Sequence, residues 1–355
     1  MISKGGTDFS KSTIMEKNTE PDLARDKVKD GQLGEGGFFP IFLSNLRTET
    51  VCDFDLYLQT DPKHQPVLYR EKSLVFTETV KERLKENLVS RLLVPSNQTK
   101  AYYRYIEVNL TSILQDTQVA VEEKSELLYV SSMNMVKDVL ADPRSGEVLP
   151  RTKSMVENSV AFLFHQENAL QNLMRVSSYD YYTYTHSVNV GVFSIMLAKH
   201  LFKGSDAHNM HELGAGFFLH DIGKVRIAPD IINKPGKLTD EEMTIVRSHP
   251  YQGYKILKET NQLTEECMII VMQHHEREDG SGYPRRLKRH EIHPYGRICC
   301  IADVYDALTA ERSYKQKLTT FEALKLMKEQ LLNHFQQEMF EKFVLLFTQQ
   351  NGSVR

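Results

Sequence analysis

The sequence predicts a C-terminal all-α helical bundle preceded by a smaller α+β N-terminal domain. Three observations point there. Apolar residues recur at helical spacing almost without a break from Tyr181 onward. Short apolar or alternating runs separated by polar turns fill 38–110. Five histidines gather at or near predicted helix ends in the C-terminal half. A length of 355 residues accommodates about two domains of roughly 100–200 residues each.

Residues 1–36 are polar, rich in Gly, Lys and Asp, and end in GQLGEGG, which reads as a flexible tail with no core to bury. From Phe38 the runs FFPIFLSNL, FDLYLQT, PVLYREKSLVF and RLLVP predict strands, separated by turns such as DPKHQ, with one helix over about 77–87. After Tyr102 the period becomes helical. Leu127, Leu128, Val130, Met133, Val136 and Leu140 recur every three or four residues up to Asp142-Pro143. An α+β domain with its connecting helix is therefore expected over 37–142, and the turn-rich ADPRSGEVLPRT marks the boundary.

A second domain is expected over 150–350. Met155, Val156, Val160, Leu163, Leu170 and Leu173 form its first amphipathic helix. Helices in this place either couple two domains or simply pack on the bundle, and their pairing raises the expectation of a homodimer. Further helices are expected over about 183–202, 208–225, 240–248, 250–260, 265–275, 295–310 and 321–333, punctuated by the KPGK turn with Gly236 and by Pro294. Side chains converging in such a bundle can build a site in its core.

Composition narrows the class. A net charge of −3 gives no global reason to bind a nucleic-acid polymer or a membrane. No stretch approaches the roughly 20 apolar residues of a membrane span, and the opening MISKGGTDFSKST lacks the apolar core of a signal peptide. Cys52, Cys267, Cys299 and Cys300 lack Cys-x-x-Cys spacing and read as reduced, structural thiols. A cytoplasmic location is the expectation.

The chemistry lies in His186, His220, His249, His274 and His275, together with Asp221 and Asp303, each set in a short motif of its own. His220-Asp221 and His274-His275 are adjacent pairs. Neighbouring helical residues point about 100° apart, so both members reach one site only if it spans two metal positions or lies against a helix end. That favours a multi-metal cluster over a single ion. His165, His200, His208, His211, His290 and His293 lack such company and read as surface or core polar groups.

HSVNV around His186, FFLHDIGK, SHPYQGYKIL, HHEREDGSGYP and RICCIADVYDALTAERSY resemble, in order, the successive motifs of the HD-GYP family. The resemblance covers about 180–320 and none of the N-terminal domain. It implies that His186, His220, Asp221, His249, His274, His275 and Asp303 hold metal, with Asp221 as the bridging carboxylate. Imidazole and carboxylate together suit Fe, Mn, Zn or Ni; the resemblance implies two divalent ions, iron or manganese.

Two ions about 3.5–4 Å apart would activate a shared water as a metal-bridging hydroxide that attacks phosphorus in line. Lys224, one turn past Asp221, reads as a phosphate ligand rather than a plain surface lysine, and with Asp221 forms the expected catalytic pair. In DGSGYP, Gly280, Gly282 and Pro284 prevent regular structure, and Tyr283 offers a flat face or a hydroxyl. The resemblance makes this the segment characteristic of cyclic di-GMP hydrolysis. It assigns Asp279, Gly282, Tyr283, Pro284, Arg312 and Tyr314 to substrate binding beside Lys224. Asp279 either fixes the loop or orients a ligand histidine, and Asp306 supports local structure.

The implied activity is a cyclic di-GMP phosphodiesterase giving linear pGpG and, more slowly, GMP, regulated by a signal or protein partner at its N-terminal domain. Another cyclic dinucleotide or nucleotide as substrate, and a non-catalytic cyclic di-GMP-binding module, stand as alternatives. The pattern departs from the family in three places. Tyr182 stands where members with a third metal carry glutamate, which favours two ions. Arg286 and Arg289, in PRRLKRH, replace glycines of PxGLxG, so a loop of different shape is expected. Ser313 replaces a common proline before Tyr314.

Overall fold

The computed structural model describes residues 37–60, 64–145, 148–177, 183–234, 236–260, 264–310 and 317–348. The expected tail over 1–36, Tyr182, Arg312, Ser313 and Tyr314 lie outside the described residues. The N-terminal part is built from β1 (Phe38–Phe42), β2 (Thr50–Cys52), β3 (Leu56–Leu58), β4 (Val67–Arg70), β5 (Leu74–Phe76), α1 (Glu78–Glu86) and β6 (Arg91–Pro95). β1, β6, β3 and β4 form an antiparallel sheet in that order, and β2 pairs with β5.

Alternation sets the register. Phe39 faces Val94 and Ile41 faces Leu92, so all four apolar side chains fall on the buried face. Pro40, which cannot donate to a ladder, is tolerated because β1 is an edge strand. That face rests on α2 (Thr99–Gln115), where Tyr102 and Tyr105 meet Phe54 edge-on, each at 5.5 Å between ring centroids.

α3 (Val121–Ala141) and α4 (Val148–His165) follow, with α5 (Ala169–Ser177), α6 (Thr183–Leu201) and α7 (Met210–Phe218). α3 is buried along much of its length and packs on α2, α4, α5 and α6. The 37–142 unit expected from sequence therefore ends inside a helical bundle. The turn after Ala141 joins two helices that pack together, and the change from sheet to bundle comes at α2. Arg151 of α4 fastens this arrangement, pairing with Glu107 of α2 through two bonds of 2.7 and 2.8 Å and with Asp138 of α3 at 2.7 Å. The single helix expected over 155–173 is two, parted before α5 where Asn168 takes φ 58°.

The remaining helices are α8 (Pro229–Ile232), α9 (Asp240–Val246), α10 (His249–Thr260), α11 (Glu265–Gln273), α12 (Pro294–Thr309), α13 (Thr320–Gln330) and α14 (Gln337–Thr348). α6 is the axis, packed on α7 and α12, with α11 against α7, α10 and α12. Phe193, Tyr305, Phe343 and Phe347 lock α14 onto α6 and α12. Among the described residues, no helix is long and apolar enough to cross a membrane.

The helix expected over 208–225 stops at Phe218, and a 3₁₀ turn, Ile222–Arg226, takes over. The break has a packing cause. A Cβ on Gly223 would lie 1.9 Å from the His249 carbonyl oxygen and 2.5 Å from the Gly253 nitrogen. Only glycine lets this turn press against the start of α10, which sets Asp221 beside His249. Gly223→Ala should therefore destabilise the protein by about 1–3 kcal/mol or more, the usual cost of overpacking. Denaturant unfolding should show the loss together with weakened metal uptake; wild-type stability would refute the contact.

Candidate metal centre

Four helix ends and the body of a fifth helix converge on one buried spot. His186 lies in the first turn of α6, His220 and Asp221 just beyond α7, and His249 at the start of α10. His274 and His275 follow α11, and Asp303 projects from α12. Their ligand atoms form two groups. Asp221, His249, His274 and His275 make one, and His186, His220 and Asp303 the other, with all atoms of a group within 4.8 Å of one another.

Asp221 faces both groups. Its Oδ1 lies 3.2 Å from His249 Nε2 and 3.8 Å from His274 Nε2, while Oδ2 lies 3.5 Å from Nε2 of both His186 and His220. Asp303 spans the far side, 3.2 Å from His186 Nε2 and 3.3 Å from His275 Nδ1. All seven sequence-expected ligands are thus brought together. Lys224 is there too, its ammonium paired with Asp221 Oδ2.

Hydrogen-bond polarity tests whether the set suits a cation. His220, His249 and His274 place Nδ1 at 2.9, 2.7 and 2.8 Å from the carbonyl oxygens of Phe217, Val246 and Val271. A carbonyl only accepts, so each Nδ1 carries the hydrogen and each neutral ring presents a lone pair at Nε2. Yet His249 and His274 face one another Nε2 to Nε2 at 3.1 Å, and His220 and His186 at 3.4 Å. Between them sits a carboxylate whose buried Oδ1 has no hydrogen-bond partner. Lone pairs aimed at lone pairs around an anion are satisfied by a cation, so these residues fit metal ions.

The electrostatics agree. Burial holds His220 and His274 below the usual histidine range and takes His275 to about 3. Burial opposes charge on Asp221, but Lys224, His220 and His249 overcome it and keep the carboxyl well below its ordinary range. At His186 burial is outweighed by Asp303 and Asp306, which raise the ring to about 9. A proton or a metal ion serves that pair of carboxylates. Asp306 was expected only to support local structure. Its Oδ2 accepts from His186 Nδ1 at 2.7 Å, so it orients a candidate ligand.

The HD domain family matches residues 185–339. A cyclic di-GMP phosphodiesterase of Pseudomonas aeruginosa is 33% identical over 276 residues, covering 74% of this chain and 66% of that protein. A cyclic di-GMP phosphodiesterase of Thermotoga maritima is 37% identical over 187 residues, 52% of this chain and 50% of its own length. A 3'3'-cGAMP-specific phosphodiesterase of Vibrio cholerae is 43% identical over 124 residues, 35% of this chain and 24% of that one. Among solved structures, an HDG"Y"P protein from Bdellovibrio bacteriovorus has the same fold, with a TM-score of 0.63, 21% identity, and coverage of 88% of this chain and all of that one. The chain belongs to the HD-GYP family. It spans between about a quarter and two thirds of the length of these curated relatives.

The loop that gives the HD-GYP family its name leans on the group formed by Asp221, His249, His274 and His275. The Tyr283 ring lies 4.6 Å from that of His275 and 6.2 Å from that of His249, with the Arg247 guanidinium 5.7 Å from the Tyr283 ring centre. Gly282 is there for closeness: a Cβ would come within 2.6 Å of the backbone of His275, Glu276 and Arg277. Pro284 follows a cis peptide bond and is exposed. Asp279 does not reach a ligand histidine. It accepts from the Ser281 N–H at 2.9 Å and from Asn333 Nδ2 at 2.6 Å, so it pins the loop to the C-terminal helices.

At the two substituted positions the expected change of loop shape does not occur. Arg286 and Arg289 adopt φ 55° and 34°, keeping the left-handed backbone that glycine would favour. Glu276, which the sequence reading passed over, enforces it. This buried carboxylate accepts from the N–H groups of Arg285 at 2.7 Å and Leu287 at 2.9 Å, on either side of Arg286. Its only sequence signal was an acidic residue directly after two ligand histidines.

Two outcomes follow. Arg286→Gly should stabilise the protein by about 0.5–1 kcal/mol, left-handed strain relieved minus the added freedom of the unfolded chain. A loss in denaturant titration would contradict this account of the loop. The second concerns pH. As pH falls below about 6.5 the unfolded chain takes up protons that His220, His274 and His275 refuse when folded, so stability drops on acidification. The contribution of His186 is complete below about 6.5 and is lost as pH rises toward 9. Melting temperatures of chelator-treated protein should peak near neutrality and fall more steeply on the acid side; a flat acid limb would overturn the assignment.

Proposed function

We propose that this chain is a metal-dependent phosphodiesterase that hydrolyses cyclic di-GMP to linear pGpG and, more slowly, to GMP. The observation that carries the reading is Asp221, set between two groups of histidine and carboxylate ligands. Two bound divalent ions, iron or manganese, would supply an activated water at neutral pH and neutralise charge on the phosphate. The protein's own share is positional. Asp221 and Asp303 fix the spacing of the two groups, and Asp306 and three backbone carbonyls fix the histidine tautomers.

Lys224, about a quarter exposed and one turn past Asp221, can move its ammonium from that carboxylate to a non-bridging phosphate oxygen. Tyr283, lying over His275 and flanked by Arg247, offers a ring against which a purine can stack. Asp279 and Gly282 act by shaping the loop that presents it. Arg312 and Tyr314 are proposed, on their motif alone, to contact phosphate or guanine. The N-terminal unit is proposed to regulate the site through α2 and α3. Relatives named for 3'3'-cGAMP support a second reading in which a mixed cyclic dinucleotide is the substrate.

The test is product analysis on anaerobically iron- or manganese-loaded full-length protein, given cyclic di-GMP and 3'3'-cGAMP in parallel. The expected result is pGpG from cyclic di-GMP, two ions per chain, and a rate at least about a hundredfold lower in Asp221→Ala, the scale of losing a group that stabilises transition-state charge. Faster turnover of the mixed dinucleotide would favour the second reading. A loaded centre that cleaves neither would refute both.

A further inference from the structure

A partly buried chain of hydrogen bonds runs from α3 to the candidate metal centre. The Tyr129 hydroxyl on α3 donates to Asn189 Oδ1 at 2.9 Å. Asn189 Nδ2 donates to Asp306 Oδ1 at 2.8 Å, and Asp306 Oδ2 accepts from His186 Nδ1 at 2.7 Å. Tyr129 and Asp306, at its two turns, are 3% and 2% exposed, and Asn189 between them is half-buried.

The chain has a single polarity. Both oxygens of Asp306 accept, which obliges Asn189 to turn its NH₂ toward them and its carbonyl toward Tyr129. The tyrosine hydroxyl then donates, and His186 holds its hydrogen on Nδ1 with Nε2 aimed at Asp303 and Asp221. Removing the Tyr129 hydroxyl would leave the Asn189 carbonyl without that donor and loosen the amide that steadies Asp306.

α3 is also the helix held by the N-terminal unit. Ser44 Oγ donates to Glu123 in its first turn at 2.9 Å, and Arg47 pairs at 2.7 Å with Asp116, between α2 and α3. Tyr129 lies six residues beyond Glu123, about 9 Å along the helix. We propose that Tyr129 and Asn189 are positioning residues that tie the N-terminal unit to the metal centre, so that the seating of α3 sets the orientation of His186. The inference rests on the metal-centre reading above.

The experiment measures Mn(II) affinity by titration of the full-length chain, with kcat and KM for cyclic di-GMP alongside. Tyr129→Phe keeps the buried ring and should weaken metal affinity by about three- to tenfold, less than the roughly 10–100-fold typical of a direct ligand partner. The fall in rate should appear in kcat, with KM unchanged. Asn189→Ala should cost more, and the double variant no more than Asn189→Ala alone, because the two share one path. Ser44→Ala should lower affinity in the wild-type background and do nothing once Tyr129 is Phe.

Unchanged affinity and kcat in Tyr129→Phe would overturn the inference whatever happens to its melting temperature. So would a Ser44→Ala effect that is absent, or equal in both backgrounds. Wild-type protein that binds metal but leaves cyclic di-GMP intact refutes the substrate reading alone, and the affinity comparison still decides this one. Wild-type protein that holds no metal refutes both.

Discussion

A single carboxylate sets the terms for the bundle. Asp221 meets histidines from α6, α10 and the ends of α7 and α11 with its two oxygens, so the elements carrying them must end or begin within one side chain of each other. A buried carboxylate is costly unless cations or donors surround it. The need to approach it explains features that packing alone would not favour: α7 stopping early, a 3₁₀ turn where a helix could have continued, and Gly223 with no room for a methyl group.

Helix ends suit this task for a reason internal to the backbone. The last carbonyls of a helix lack intrahelical partners and seek donors. Phe217, Val246 and Val271, in the closing turns of α7, α9 and α11, each accept from the imidazole three residues later, at His220, His249 and His274. One bond thereby caps a helix, selects a tautomer and aims Nε2 at the centre. His186 sits in the first turn of a helix, and there Asp306 of α12 accepts from its Nδ1. This candidate ligand is thus oriented by a side chain on another helix, which is where a distant element can act on it.

The seven candidate ligand positions were legible because metal chemistry restricts residue type, and each lies in a compact motif. The strands were legible for a similar reason: alternation such as that of Phe39 and Ile41 leaves one face to bury. What escaped the sequence depends on contacts between distant segments. Whether 208–225 is one helix or two turns on a backbone contact to 249 and 253, which no local propensity encodes. The role of Glu276 appears only when the loop folds back over it, and left-handed φ at Arg286 contradicts the preference of its own side chain. Asp142-Pro143 does mark a turn, but a turn between helices and a turn between domains carry the same local chemistry.

That last ambiguity bears on how the protein works. Seven polar side chains, the candidate ligands, occupy the middle of the bundle, where apolar side chains would otherwise supply cohesion, so stability has to come from its flanks. α3 provides much of it. Leu127, Leu128, Met135, Val136 and Val139 are buried on this helix, and Arg151 draws it together with α2 and α4. A chain cut near 150 would expose the surfaces of α4, α5 and α6 that α3 covers. The helix that connects the N-terminal unit to the rest is thus also a wall of the bundle, and it carries Tyr129 toward His186. A change in how the sheet seats on α2 meets that wall at α3, and it also meets α4, which α2 touches directly through Glu107 and Arg151. On the proposal that Tyr129 and Asn189 position His186, the α3 branch is the one that leads to the candidate ligands, because a close-packed core absorbs little of the shift.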